Sequence, residues 1–262
     1  MLILGYIAAM LIGISLGLIG GGGSILTVPV LVYIFHLEPA NATTYSLFIV
    51  GFTSLIGAMG YLKRKQINIP VALLYASSSI LTVLATRRLL LPLIPEHIFS
   101  LGEVNITKSM LTMILFAFLM VLASVSMIRN GSAAEQAGNG AKMAYSRIIG
   151  YGVVIGFITG LLGAGGGFLI IPALIMLMKM PMKEAVGTSL LIIALNSLLG
   201  FAGDIAFVHI EWTFLLGISM VAAIGILLGA RMSKRIEGAR LKKGFGWFVL
   251  MMGIYIFAAE LL

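Results

Sequence analysis

The length of its apolar runs constrains this chain more than any other feature. A helix needs about 20 apolar residues to cross the hydrocarbon of a bilayer, and runs of that length lie near 41–62, 69–91, 108–128, 184–206, 213–230 and 244–262. Two further runs, Leu2 to Phe35 and Ile148 to Met178, are longer than one crossing requires, and each is interrupted by a glycine cluster followed by a proline. Of the 262 residues, 60% are hydrophobic and only 10% are charged, more apolar surface than a water-soluble domain can bury. The expected fold is all-α: a polytopic integral membrane protein, multi-pass in the cell membrane, with lipid as a partner. Charges gather in short clusters, such as Lys63-Arg64-Lys65 and Arg231 through Lys243, which are expected to be loops. The N-terminal MLILGYIAAMLIGISLGLIG lacks the basic flank and cleavage site of a signal peptide and is read as a retained membrane segment.

The net charge of +8 does not point to nucleic acid, because basic residues bounding apolar spans are what membrane orientation requires. With no cysteine there is no disulfide, thiolate metal site, iron-sulfur cluster or cysteine nucleophile. The 16 methionines sit singly along apolar runs, as packing or lipid-facing material. His36, His97 and His209 all fall in predicted loops and form no ligand cluster. Asp204 reads as a solvated carboxylate near a helix end, and Arg87 and Arg88 either close a helix or guide anions. Neither a metal nor a cofactor is expected, and no clustered acid-base constellation marks an enzyme.

Sliding the chain on itself by 143 residues lays GLIGGGGSILTVPVL, from Gly17, on GLLGAGGGFLIIPAL, from Gly160. The match runs without a gap from Gly17 to Gly60 with 16 identities in 44 positions, including Pro29/Pro172, Ser46/Ser189, Ser54/Ser197, Gly57/Gly200 and Gly60/Gly203. Two homologous membrane repeats, 1–129 and 146–262, are therefore expected, joined by a polar linker over 130–145. Each overlong run is read as a helix, a Gly-rich break and a shorter helix. Pro29 belongs in the opening turn of the short piece, which starts near Ser24 to Val28 in the first half and near Gly167 to Ile171 in the second. If each overlong run crosses once, basic residues divide 11 to 6 between the two sides. If each turns back, they divide 14 to 3. The second arrangement is favoured, with inverted halves and both termini outside.

A backbone break at membrane depth is costly unless it lines a cavity or is buried in protein. The open N–H groups at the start of a short helix carry partial positive charge, and glycines let a ligand approach them closely, so a small anion is the natural occupant. Gly13, Gly17, Gly57, Gly60, Gly200 and Gly203 are instead read as close helix packing. Ser and Thr in apolar helices commonly bond their own backbone. Even so, Thr43, Thr44, Ser46, Thr53 and Ser54, with Thr188, Ser189, Asn196 and Ser197, follow the breaks. Thr53 aligns with Asn196, a matched hydroxyl and amide able to donate to an oxyanion. The predicted substrate-binding set is Gly21, Gly22, Gly23, Ser24, Thr44, Ser46, Thr53, Gly165, Gly166, Gly167, Thr188, Ser189 and Asn196.

The paired segments Gly17 to Pro29 and Gly160 to Pro172, with the following Thr44, Ser46 and Gly187 to Ser189, resemble the TauE/SafE family of sulfite exporters. The resemblance covers nearly the whole chain and implies a polytopic permease for sulfite or an organosulfur anion such as a sulfonate. The expectation is a secondary carrier that binds a small anion near the midplane. An anion channel and a non-transporting membrane scaffold are the other readings, and homo-oligomerisation is left open.

Overall fold

The computed structural model describes residues 2–21, 23–90, 97–101, 104–107, 145–162, 167–205, 210–233 and 236–261, residues 93 and 208, and scattered helical positions between Ile114 and Ile128. Among them the chain is helical apart from one hairpin. The first half contains α1 (Leu2–Ile19), α2 (Gly23–Pro29), a π-helical turn over Val30–Ile34, α3 (Pro39–Lys63) and α4 (Ile69–Ala85), which continues as a π-helical turn over Thr86–Leu90. The second contains α5 (Tyr145–Leu162), α6 (Gly167–Pro172), a π-helical turn over Ala173–Leu177, α7 (Met182–Asp204), α8 (Trp212–Ser233) and α9 (Gly238–Leu261). Three helices, Asn41–Lys63, Met182–Asp204 and Trp212–Ser233, are long and apolar enough to cross a membrane. The predicted linker at 130–144 lies outside the described residues.

Local chemistry sets the helix ends. Gly20 takes φ +78 and donates its N–H to Leu16 O at 2.7 Å, a left-handed stop for α1 that a side chain would strain. Pro39 opens α3 with its φ already helical. Lys63 in the last turn of α3 complements the negative helix end, and Lys65, at φ 56, turns the chain out of it. Asn68 caps α4, its side chain accepting from the Val71 N–H at 3.3 Å.

Elements of the two halves begin 143 residues apart: Leu2 and Tyr145, Pro39 and Met182, Ile69 and Trp212. The connections after the π-turns also correspond. His36 at φ 55 and Lys179 at φ 50 are both left-handed, and Leu37 N–H to Leu31 O and Met180 N–H to Leu174 O are both 3.1 Å.

The packing fixes relative directions. Along the α3/α7 crossing, Leu47 meets Gly200, Gly51 meets Leu198 and Tyr61 meets Gly187, so these corresponding helices run antiparallel. By contrast α1 and α8 run parallel, with Gly13 against Ala222 and Gly17 against Gly229 and Ala230. So do α4 and α5, with Gly152 against Ser78 and Gly156 against Ser79. Along α8 the outer side carries Leu216, Met220, Ile224 and Leu227, all exposed at the spacing of one helix face. Large apolar side chains on the outside of an otherwise close-packed bundle suit contact with lipid rather than water.

Four expectations change. Pro29 and Pro172 do not open their short helices. They are the last residues of those helices, directly before the chain passes into a π-turn. Gly60 and Gly203 are not packing positions, since nothing lies within 4 Å of where a Cβ would stand. The cluster from Arg231 to Lys243 is not all loop: Arg231 ends α8, and Arg240 and Lys243 ride on α9, because long basic residues are good helix formers once clear of hydrocarbon. His97 is not in a loop but opens β1 (His97–Leu101), which pairs antiparallel with β2 (Val104–Thr107). Val104 to Thr107 alternate apolar and polar residues, and Ile98 and Phe99 are good strand formers.

At the α1/α8 seam a methyl group on Gly13 would overlap Ala222 O, and one on Gly225 would overlap Met10 O. Gly13→Ala and Gly225→Ala are therefore expected to destabilise the detergent-solubilised protein by about 1–3 kcal/mol, read as a lower melting temperature. Gly60→Ala and Gly203→Ala should leave that temperature unchanged or slightly higher.

Candidate functional site

The openings of the two short helices meet inside the bundle. A Cβ on Gly167, the first residue of α6, would lie 2.9 Å from Ser24 Oγ in the first turn of α2, so the openings of the two short helices abut. A Cβ on Gly20 would lie 2.7 Å from Ser189 Oγ and 2.8 Å from Ile171 Cδ1, which sets the end of α1 against the second half. Gly21 and Gly23 are buried, and Gly23 is wedged against Ile12 O and Leu16. Gly22, Gly165 and Gly166 lie outside the described residues.

One face of α7 lines this meeting point. Ser189, Ile193 and Asn196 are spaced by four and three residues and so share a helix face. Ser189 touches the Gly20 turn, and Ile193 touches Gly167. Ser46, Val50 and Thr53 are the residues at the corresponding positions of α3, and all three are buried.

The predicted polar residues differ in what already occupies them. Ser24 donates its hydroxyl to Gly21 O at 2.7 Å, and Ser189 donates to Val186 O at 2.9 Å. Each hydroxyl oxygen keeps acceptor capacity, but its proton is committed to the backbone. Thr188 is fully buried and accepts the Asn68 N–H at 3.0 Å. Its counterpart Tyr45 accepts the Glu211 N–H at 2.6 Å, so the residue before α4 and the residue before α8 are each tied to the opposite half. Thr188 thereby has a structural partner. Thr44 is buried and takes part in an interaction of its own, and Ser46 is buried.

Asn196 donates from Nδ2 to Ser79 Oγ at 2.8 Å, leaving Oδ1 buried without a partner. Ser79 gives its own hydroxyl proton to Ala76 O at 3.3 Å, so at this contact it accepts from the amide. Thr53 Oγ1 and Ser54 Oγ are likewise buried without partners, as is the Tyr75 hydroxyl. Thr53 and Asn196 thus correspond in position, but only Asn196 has a partner among the described residues. Position 222, which corresponds to Ser79, is alanine.

The sequence reading missed a cavity of about 230 Å³ lined by Tyr61, Arg64, Gln66, Lys183 and Ser233. It lies where α3 and α8 end and α7 begins. The Tyr61 hydroxyl is 3.4 Å from both Gly17 O and Ser233 Oγ, which joins the cavity wall to α1 one turn before the first break. Arg64 lies over the Tyr61 ring, 5.5 Å from its centroid. Basic residues at helix ends are common, so only the convergence of three distant segments exposes this cavity.

A model of the Sulfite exporter TauE/SafE family matches residues 5–256. The chain is 27% identical to the "Probable membrane transporter protein YunE" of Bacillus subtilis, over 88% of this chain and 90% of that one. It is 26% identical to a "Probable membrane transporter protein" of Methanocaldococcus jannaschii, over 95% and 93% of the two chains. A Haemophilus influenzae protein of the same description is 27% identical over 98% of both. No solved structure matches the chain.

The hydroxyls are separable by experiment. Thr188→Val strands the half-buried Asn68 N–H and is expected to destabilise the protein by about 1–2 kcal/mol. Thr53→Val removes a buried hydroxyl with no partner and should leave the melting temperature unchanged or raise it. Melting curves of both variants in one detergent check the contrast.

Proposed function

Because the chain belongs to the TauE/SafE family of sulfite exporters, and is thus a membrane transporter, we propose that it is a secondary carrier for a small oxyanion, sulfite or a sulfonate, in the cell membrane. The observation that best supports a site at the breaks is the contact between Ser24 and Gly167, which brings two short-helix openings together beside Ser189. Side-chain-free backbone at both openings lets an anion approach N–H groups at the positive ends of two short helices. The antiparallel α3/α7 crossing, with the parallel α1/α8 and α4/α5 pairs, fits halves inverted in the membrane. Movement of one inverted half against the other then exposes the meeting point to each side in turn.

No ATP-binding motif is present in the sequence, so the driving force is the anion gradient, a coupled ion or the membrane potential. An inside-negative potential favours export by about 2.3 kcal/mol per charge per 100 mV. A channel with the same lining would not saturate at low concentration, and a scaffold would tolerate bulky groups in the breaks.

Uptake of sulfite, sulfate, thiosulfate and a small sulfonate into liposomes containing the purified protein is the direct test. The expected result is saturable uptake of one of them. Gly22→Leu and Gly166→Leu should each abolish it in protein whose melting temperature is retained. No uptake of any of the four under an imposed gradient would overturn the carrier reading.

A further inference from the structure

The cavity lined by Tyr61, Arg64, Gln66, Lys183 and Ser233 has a charge and a position that packing alone does not explain. The one ion pair found among the described residues is Arg240 with Glu237, on the surface at the start of α9. Arg64 and Lys183 line the cavity, and among the described residues neither is paired with a carboxylate. The nearest acidic neighbour in sequence, Glu184, is turned to the Asn68 amide, 3.4 Å away. Two cations beside a tyrosine hydroxyl, a serine hydroxyl and an amide make a donor-rich, positively charged recess suited to an oxyanion.

The cavity is also one-sided. A shift of 143 residues replaces Tyr61 by Asp204, Arg64 by Phe207, Gln66 by His209, Lys183 by Ala40 and Ser233 by Leu90. The position related by the repeat therefore carries neither lysine nor arginine. Near it the antiparallel helices are closed by aromatic rings. Phe48 lies 5.0 Å from Phe201 and 6.1 Å from Trp212, and Phe35 lies 4.9 Å edge-on to Phe214. The recess is thus basic, whereas aromatic rings pack against one another near the opposite end of the α3/α7 crossing.

We propose that this recess is an anion vestibule on the side where the basic residues gather, in which Arg64 and Lys183 capture the oxyanion and the Tyr61–Ser233 hydroxyl pair separates it from the first glycine break. The Tyr61 contact to Gly17 O and the Gly20 contact to Ser189 put the vestibule wall and the break within one helical turn of each other. The assignment rests on the carrier reading for its purpose. The capture step itself can be measured without transport.

The natural absence of cysteine supplies the assay. Gln66→Cys places one thiol in the recess, and Ser233→Cys is the second site should the first variant fail to fold. In detergent, the thiol is treated with a sulfonate-bearing methanethiosulfonate and, separately, with its trimethylammonium analogue. The ratio of the two rates cancels any general activation of the thiolate by nearby cations. Relative to a free thiol in solution, the ratio should favour the sulfonate reagent by about tenfold or more. Arg64→Gln with Lys183→Gln in the same background should return it most of the way to the free-thiol value, whereas Lys63→Gln should not. Sulfate or methanesulfonate should slow the anionic reagent. A ratio equal to that of the free thiol, or one unmoved by the double substitution in folded protein, overturns the vestibule even if liposome uptake succeeds. A charge-dependent, sulfate-protected ratio upholds it even if the liposomes take up none of the four anions, in which case the carrier reading falls alone.

Discussion

Every backbone N–H and C=O within a bilayer has to find a partner inside the protein, and the rest of this architecture depends on how that demand is met. Long helices such as α3, α7 and α8 meet it internally. Between α1 and α2 the helical ladder is interrupted at Gly20, and there the protein surrounds the exposed backbone with itself. Gly20 is held by its bond to Leu16 O and covered by Ser189 and Ile171. Gly23 is pressed on Ile12 and Leu16. Such enclosure is possible only because glycines elsewhere, Gly13 and Gly17 on α1 and Gly225 and Gly229 on α8, let two helices approach at backbone distance.

The long helices begin at equivalent positions in both halves but do not keep the same chemistry. The ties from Asn68 to Thr188 and from Glu211 to Tyr45 hold the start of one half's third long helix to the other half by different side chains in equivalent places. Asn196 finds Ser79, whereas Thr53, in the equivalent place, finds no partner. The largest difference lies at the ends. Arg64 and Lys183 line a recess at one, and Phe48, Phe201 and Trp212 pack together near the other. A duplicated framework that must face two different compartments has reason to keep its backbone plan and diversify its ends.

Much of this was legible in the chain. Hydropathy identified α3, α4, α7 and α8 within a few residues, and α1 ends beside the first glycine cluster. Register between Gly17 and Gly160 anticipated corresponding element starts because duplicated sequence carries duplicated local preferences. The prolines misled, since Pro29 and Pro172 stand last in the short helices, before π-turns that no residue pattern announces. Gly60 and Gly203 misled as well: a glycine looks the same in sequence whether it meets a neighbour or open space. The hairpin at His97 was passed over because four-residue alternation is a weak signal beside 20-residue apolar runs.

The sequence by itself determined the class of protein and where its long helices begin, because these follow from local hydrophobicity and backbone preference. Only the tertiary structure decided which groups face one another. Tyr61, Lys183 and Ser233 are separated by 122 and 50 residues along the chain and line one recess, and Ser24 meets Gly167 across the two halves. Those encounters depend on which helix faces pack and in which direction, and helical periodicity within one segment carries no information about its partner.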